Sequence, residues 1–228
     1  MRPTVSVVVP TYNEEAAIAK LLENLCAIGA DEIIVADGHS SDRTGEIASG
    51  YPGIRFLCSP TPNRAVQMNL GAAWSTGDIL LFLHADVRLG PNSLHALRKT
   101  MSDPAVLGGN FDIQYEGGDL AASWFTAVNR WRCRWGIFYG DSGIFCRRSV
   151  FEHLGGYRDW PLMEDYEFAR KLWMSGKISF LTESIYVSNR RWKKSGLFST
   201  VVFWIVIQAL YQLRVSPRRL ARLYGIVR

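Results

Sequence analysis

Apolar residues in the first hundred positions fall into short runs separated by stripes of helical period. The runs Val5 to Val9, Glu32 to Ala36, Ile54 to Leu57 and Ile79 to Leu83 read as strands. No polar residue interrupts Ile79 to Leu83, which predicts burial on both faces, the usual state in a parallel sheet, and Val5 to Val9 reads as a second buried strand. Between them, Ile18, Leu21, Leu22 and Leu25 recur at i, i+3, i+4 and i+7, the spacing of a helix with one apolar stripe. A short helix begins near Asp42, and Asn63 to Trp74 predicts another, with Arg64, Gln67 and Asn69 near its start. Pro91 and Asn92 open a further helix carrying Leu94, Leu97 and Met101 on one side. This β-α-β-α-β order implies a parallel sheet with right-handed crossovers.

Beyond about residue 105 the rhythm changes. Val106 to Ile113 predicts an edge or antiparallel strand, Leu120 to Trp131 a helix rich in aromatics, and Gly140 to Phe145 a loop running into a strand. Leu154 to Tyr157 reads as a turn, and Glu164 to Met174 as a helix with Glu164, Asp165 and Glu167 in its first turn. The expected fold class is α/β. Residues 1–104 form a nucleotide-binding half, 105–192 a mixed acceptor-side half that completes the pocket, and 193–228 an apolar and basic helical tail.

Composition sharpens this picture at two points. A chain of 228 residues with 48% hydrophobic and 21% charged residues is a globular domain, not a disordered segment. The net charge of +5 hides a division: no acid follows Glu183, whereas nine of the 26 bases do, from Arg190 to Arg228. That leaves 17 bases against 21 acids before it, so a mildly acidic body carries a basic tail suited to anionic lipid or phosphorylated ligands. No nucleic-acid recognition motif accompanies the tail. Cys26, Cys58, Cys133 and Cys146 show no metal spacing and read as reduced thiols. The run ending at Pro10 is too short for a signal-peptide core, so the expected compartment is the cytoplasm.

Candidate chemistry gathers at strand ends. Glu14 with Glu15, Asp37, and His84 with Asp86 follow three predicted strands, and such loops converge on one crevice at the carboxyl edge of an α/β sheet. Carboxylates there contact base and ribose or hold a divalent cation. Asp86 alone reads equally as a residue that turns the chain before Pro91. Both the P-loop and the Rossmann glycine fingerprint are absent, so pyrophosphate must be neutralised otherwise, most simply by a metal on Asp86 with help from Arg64. Asp165 reads either as a first-turn acid favoured by the helix dipole or as a general base facing the pocket. Arg190-Arg191-Trp192 joins guanidinium groups suited to phosphate with an indole face suited to a sugar.

The tail stretch Leu197 to Leu213 is strongly apolar but interrupted by Gln208 and Gln212. It falls short of the roughly 20 residues of a bilayer span. Its basic flanks suit an interfacial helix on an anionic leaflet, and a buried or dimer-forming helix is the other reading.

These residues together resemble family 2 glycosyltransferases of the single-domain, glycosyltransferase A-type fold, most closely a small bacterial branch. The motifs are Pro10-Thr11-Tyr12-Asn13-Glu14-Glu15, Ala36-Asp37-Gly38-His39-Ser40-Ser41-Asp42, Asn63-Arg64-Ala65-Val66-Gln67-Met68-Asn69, His84-Ala85-Asp86, Gly140-Asp141-Ser142-Gly143, Glu164-Asp165 and Arg190-Arg191-Trp192. The resemblance implies transfer of a sugar from a nucleoside diphosphate donor, a UDP-sugar above all, with inversion. Pro10, Thr11, Tyr12, Glu14 and Asp37 would line the nucleotide pocket, with Arg64 on the nucleotide or its phosphates. Asp86 would hold Mn2+ or Mg2+ with His84 as a weak ligand or none. Asp165 of the Glu164-Asp165 pair would be the catalytic base, and Asp141, Arg191 and Trp192 would face acceptor and diphosphate.

Three departures from the family pattern carry consequences. His84 stands where many relatives have the first acid of Asp-x-Asp, and Gly38 where a second acid often follows Asp37. Ser188 replaces the glutamine that opens the processive motif, which argues against elongation of a long polymer. The expected activity is therefore addition of one sugar to a lipid-linked or small acceptor at the inner face of the membrane. The competing reading is a nucleotide-sugar-binding or membrane-scaffold protein that has lost turnover through the His84 change.

Overall fold

Alternate side chains of the first strand sort to opposite faces of the sheet, and that division organises the whole domain. In the computed structural model, which describes residues 2–116, 120–187 and 197–225, strand β1 (Val5–Thr11) is buried throughout. Its Val5, Val7 and Val9 join Leu21, Leu22 and Leu25 of helix α1 (Ile18–Ala27), whereas Val8 joins Ala65, Met68 and Ala72 of α3 (Arg64–Trp74). Each such fully buried aliphatic side chain contributes about 1.5–3 kcal/mol.

Strands β2 (Glu32–Asp37), β3 (Ile54–Cys58) and β4 (Ile79–Phe82) run parallel to β1, with α2 (Thr44–Ser49) between β2 and β3. The first four strands thus form a parallel half-sheet, as their spacing predicts. After β4 the chain makes a tight turn at Ala85 and Asp86 into β5 (Val87–Leu89), then α4 (Ser93–Met101), β6 (Val106–Tyr115) and α5 (Leu120–Cys133). A 3-10 turn at Gly140–Ser142 leads into β7 (Ile144–Arg147), followed by α6 (Arg148–His153), α7 (Glu164–Ser175) and β8 (Lys177–Val187). The eight strands lie in the order β3-β2-β1-β4-β7-β6-β8-β5.

Of the two expectations for β6, the antiparallel one holds and the edge does not. It is an interior strand, antiparallel to β7 and parallel to β8. Gly108 and Gly109 make this possible, since a side chain at either would collide with the Phe145 or Ser179 carbonyl of a neighbouring strand. Three elements escaped the sequence pattern: β5, α6 and β8. Lys177, Ser179, Thr182, Glu183 and Ser184 break up the apolar signal of β8, whose extended form is fixed by pairing with β6 and β5.

Helices α8 (Leu197–Gln212) and α9 (Pro217–Gly225) end the described chain. Ile207 and Leu220 are fully covered, packed with Leu162, Met163 and Tyr166 at the start of α7. No helix among the described residues is long and apolar enough to cross a membrane. Residues Val202, Ile205, Val206 and Leu213 remain exposed along one stripe of α8 and just past its end.

Candidate active site

Two loops at the carboxyl ends of β1 and β2 are fastened to each other by their own polar side chains. Thr11 donates its hydroxyl to Asp37 Oδ1 at 2.8 Å, and Ser40 donates its hydroxyl to the same oxygen at 2.5 Å and its backbone N–H to Oδ2 at 2.8 Å. Asn13, in the left-handed region at φ 55°, accepts the Ser41 N–H, while Thr44 Oγ1 accepts the Glu14 N–H. Asp37 is therefore buried and bonded within the protein, and Thr11 with it, so both shape the crevice floor. Pro10 pairs with Ala36 inside the sheet, Glu14 is half-buried, and Tyr12 is left 52% exposed above the loop with its ring open to a planar ligand.

Helix α3 supplies the next layer, and each polar residue of its first two turns has a distinct task. Asn63 caps the helix by accepting the Ala65 N–H at 2.9 Å, and its amide donates to Asp159. Buried Gln67 donates to the carbonyls of Thr11 at 2.5 Å and Ala36 at 2.9 Å, clamping the ends of β1 and β2. Asn69 exchanges two hydrogen bonds with the Tyr157 backbone, fixing the turn that precedes α7. Gly38 is explained by this packing. A Cβ there would lie 2.8 Å from Pro62 Cα and 3.0 Å from Gln67 Nε2, so no acid fits after Asp37.

Arg64, at the first turn of α3, reaches across to α7. Its Nε donates to Glu164 Oε1 at 2.5 Å, and its Nη1 lies 3.5 Å from His84 Nε2. Glu164 is 1% exposed, and its second oxygen has no hydrogen-bond partner among the described residues. Burial pushes its carboxyl above the usual range, Arg64 opposes that, and neighbouring Asp165 adds to it. Glu164 is thus a buried anchor for Arg64 and not a solvent-facing base.

Asp165 sits differently. It accepts the Gly140 N–H at 2.9 Å on Oδ2 and its own helix's Tyr166 N–H at 2.7 Å on Oδ1. Gly140 wedges between His84 and Asp165: a Cβ there would lie 3.0 Å from His84 Nε2 and 3.2 Å from Asp165 Oδ2. Met163, immediately before α7, holds φ 66°, a left-handed conformation that a non-glycine residue adopts at a cost. Behind the pair, the Tyr139 and Tyr166 rings stack with centroids 5.5 Å apart.

The structure therefore brings Arg64, His84, Gly140, Glu164 and Asp165 into one contact network, with half-buried Asp141 in the adjoining turn. Asp86, in the turn between β4 and β5, is half-buried, and its carboxylate bonds to none of the described residues. A carboxylate left unengaged at a strand end fits a hard cation that completes its shell with diphosphate oxygens and water. His84, facing a guanidinium, fits that task poorly. No cluster of three or more metal-ligating side chains occurs among the described residues. Arg191 and Trp192 lie outside the described residues. The roles of Gln67, Asn69, Tyr139 and Tyr166 were not read from the sequence; the one available signal was amide side chains on the inward face of α3.

Residues 6–155 match the model of Glycosyl transferase family 2. The chain belongs to this family. Among curated relatives, the chain is 27% identical over 199 residues to a probable glycosyltransferase, YdaM, of Bacillus subtilis, covering 76% of this chain and 47% of the relative. It is 26% identical over 196 residues to the beta-monoglucosyldiacylglycerol synthase of Trichormus variabilis, covering 75% and 41%. The chain spans about half the length of the curated relatives it matches.

Solved structures of the same fold include S. aureus TarS 1-349 in complex with UDP, at TM-score 0.68 and 21% identity, covering 81% of this chain and 60% of that one. The mannosyltransferase PcManGT of Pyrobaculum calidifontis, in complex with GDP-Man and Mn2+, superposes at TM-score 0.65 and 19% identity, covering 100% and 74%. The glycosyltransferase A-type fold expected from the motifs is the fold observed.

Proposed function

We propose that this glycosyltransferase moves one sugar from a nucleoside diphosphate sugar, a UDP-sugar above all, to a hydroxyl acceptor with inversion at the anomeric carbon. The observation that carries the reading is the asymmetry of the two adjacent acids. Glu164 is buried against Arg64, whereas Asp165 is held by two backbone N–H groups at the mouth of the catalytic turn. Asp165 forms no ion pair among the described residues, and one such carboxylate acting as base suits a single displacement, which inverts.

Tyr12 would stack on the base, over a floor built by Thr11 and Asp37. Asp86 would hold the divalent cation, which when bound offsets charge on the diphosphate leaving group. Arg64, fixed in direction by Glu164, adds a second positive charge on the same side. Asp165 removes the acceptor hydroxyl proton as its oxygen attacks the anomeric carbon from the face opposite the diphosphate. A lipid-linked acceptor is supported by the exposed apolar stripe of α8 and the arginines of α9, which suit peripheral contact with an anionic leaflet.

Calorimetric titration of UDP, GDP and their sugar conjugates, with and without Mn2+, tests the reading on the parent chain, Asp86→Ala and Asp165→Asn. The expected result is metal-dependent binding lost in Asp86→Ala, and binding retained without turnover in Asp165→Asn. Failure of every nucleotide to bind would overturn transfer. Tight donor binding without turnover in the parent chain, across lipid and small hydroxyl acceptors, would identify the binding-protein alternative.

A further inference from the structure

Helix α5 is built inside out. Its buried face carries Ala122, Thr126, Asn129 and Cys133, which are small or polar, while Trp124, Trp131 and Trp135 point outward at 54%, 62% and 68% exposure. These three positions are spaced i, i+7 and i+11, so they share one side of the helix. Trp135 stays in register because the helix ends in a Schellman motif. The Ile137 N–H bonds the Arg132 carbonyl, and the Gly136 N–H bonds the Cys133 carbonyl, with Gly136 at φ 71°. The inward face is a polar seam, in which the Asn129 and Asn110 amides both point to Cys133 sulfur and Arg132 bonds Asn129, while Asn110 Oδ1 and Arg132 Nε have no hydrogen-bond partner among the described residues. The orientation is therefore fixed by bonds on the inside, and the indoles face out as its consequence. A helix designed for water alone would show the reverse.

We propose that the tryptophan face of α5 is a contact surface for an anionic lipid bilayer, inserted at headgroup depth beside the tail helices. Indole, with an apolar body and one N–H donor, is the side chain suited to that layer. The charge around it fits. Helix α5 contains no acid, Arg134 is exposed beside Trp135, and exposed Arg218, Arg219 and Arg222 lie on α9. Helix α5 and the tail are neighbours through Tyr139, whose ring lies under the Arg132 guanidinium at 5.1 Å and whose hydroxyl bonds Gln208 of α8. No helix among the described residues crosses a bilayer, so the contact lies in its plane. The surface also adjoins the chemistry, since three residues after Gly136 the chain reaches Tyr139 and then Gly140, which binds Asp165. A lipid acceptor held at this face is presented at the catalytic turn.

This deepens the peripheral-membrane part of the proposed function, and its test is independent of turnover. Sedimentation with vesicles of phosphatidylcholine, alone or mixed with phosphatidylglycerol, compares the parent chain, the triple variant Trp124→Ala, Trp131→Ala, Trp135→Ala, and the single variant Trp131→Glu. Nucleotide calorimetry on each protein reports the fold and the donor site separately. The expected result is binding to the mixed vesicles alone, weakened about tenfold or more in both variants with nucleotide affinity unchanged. Brominated acyl chains should quench indole emission in the parent chain and much less in the triple variant. Equal vesicle binding by parent and triple variant overturns the proposal, as does a parent chain that ignores anionic vesicles. Concentration-dependent dimerisation that buries the same indoles overturns it in favour of a second copy of this chain.

Discussion

The hydroxyl of Tyr139 donates to Gln208 Oε1 at 2.7 Å, joining the start of the Gly140 turn to a helix 69 residues further along the chain. Gln212 repeats the link one turn later, donating to the Tyr166 hydroxyl at 3.2 Å. The two glutamines that interrupt the apolar tail thus fasten α8 to the stacked tyrosines behind Gly140 and Asp165. Burial pushes the Tyr139 phenol far above its ordinary range, so it remains a donor at any working pH.

Gln208→Leu would leave that hydroxyl unpaired in a mostly buried setting. A loss of about 1–3 kcal/mol follows from the stranded donor. Thermal denaturation should show a lower Tm, and steady-state kinetics a reduced kcat at little changed donor KM, because the tyrosine stack supports Asp165 and not the nucleotide. An unchanged Tm together with an unchanged kcat would show that α8 is merely docked.

Glu164 makes stability depend on pH in a direction opposite to an ordinary salt-bridged acid. Burial raises its folded-state pKa above the ordinary carboxylate value, so between that value and the raised one the folded chain holds more protons than the unfolded. Stability from this group is full below the unfolded pKa and declines as pH rises through the folded one. Glu164→Gln lacks the titration. The Tm advantage of the parent chain over Glu164→Gln should therefore shrink as pH rises above the ordinary carboxylate range. An advantage that grows with pH would contradict the raised pKa.

Removing the cation from the same pair should be costly in a way that its partner can reverse. Arg64→Ala leaves Glu164 buried without its donor, a destabilisation of about 1–3 kcal/mol, below that of fully buried pairs because Arg64 is 33% exposed. In Arg64→Ala with Glu164→Gln, much of that loss should return, giving a coupling energy in a double-mutant cycle. Strict additivity, read from urea midpoints, would mean that the 2.5 Å contact contributes nothing.

Placing the family's second acid after Asp37 should harm this chain. Gly38→Asp puts a Cβ 2.8 Å from Pro62 Cα, and overpacking of this kind costs about 1–3 kcal/mol. The expected outcome is a lower Tm and weaker nucleotide binding, as the Ser59 to Pro62 segment is pushed off the crevice. Tighter nucleotide binding by Gly38→Asp would refute the packing account.

Much of this protein was legible along the chain. The apolar run Ile79 to Leu83 announces a strand covered on both faces, because burial of such a run is repaid by its apolar side chains. Their alternation with helical stripes leaves a parallel half-sheet as the compact solution, and its strand ends place Thr11, Asp37, His84 and Asp86 on one edge. Local patterning suffices there, since each strand and crossover is specified within about 30 residues.

What the chain could not disclose was decided by contacts between distant segments. Strand β8 is extended because β6 and β5 offer it backbone partners, and β6 is interior because Gly108 and Gly109 admit those neighbours. Arg64 meets Glu164 across 100 residues, which divides two adjacent buried acids into an anchor for a guanidinium and a carboxylate held by the Gly140 N–H. Helix α5 exposes its tryptophans because a polar seam of Asn110, Asn129 and Cys133 holds its other face inward. Sequence spacing fixes which residues share an element and a face. Which face is covered, and which of two neighbouring acids meets a guanidinium, depends on packing and hydrogen bonds that exist only once the tertiary structure has brought the partners together.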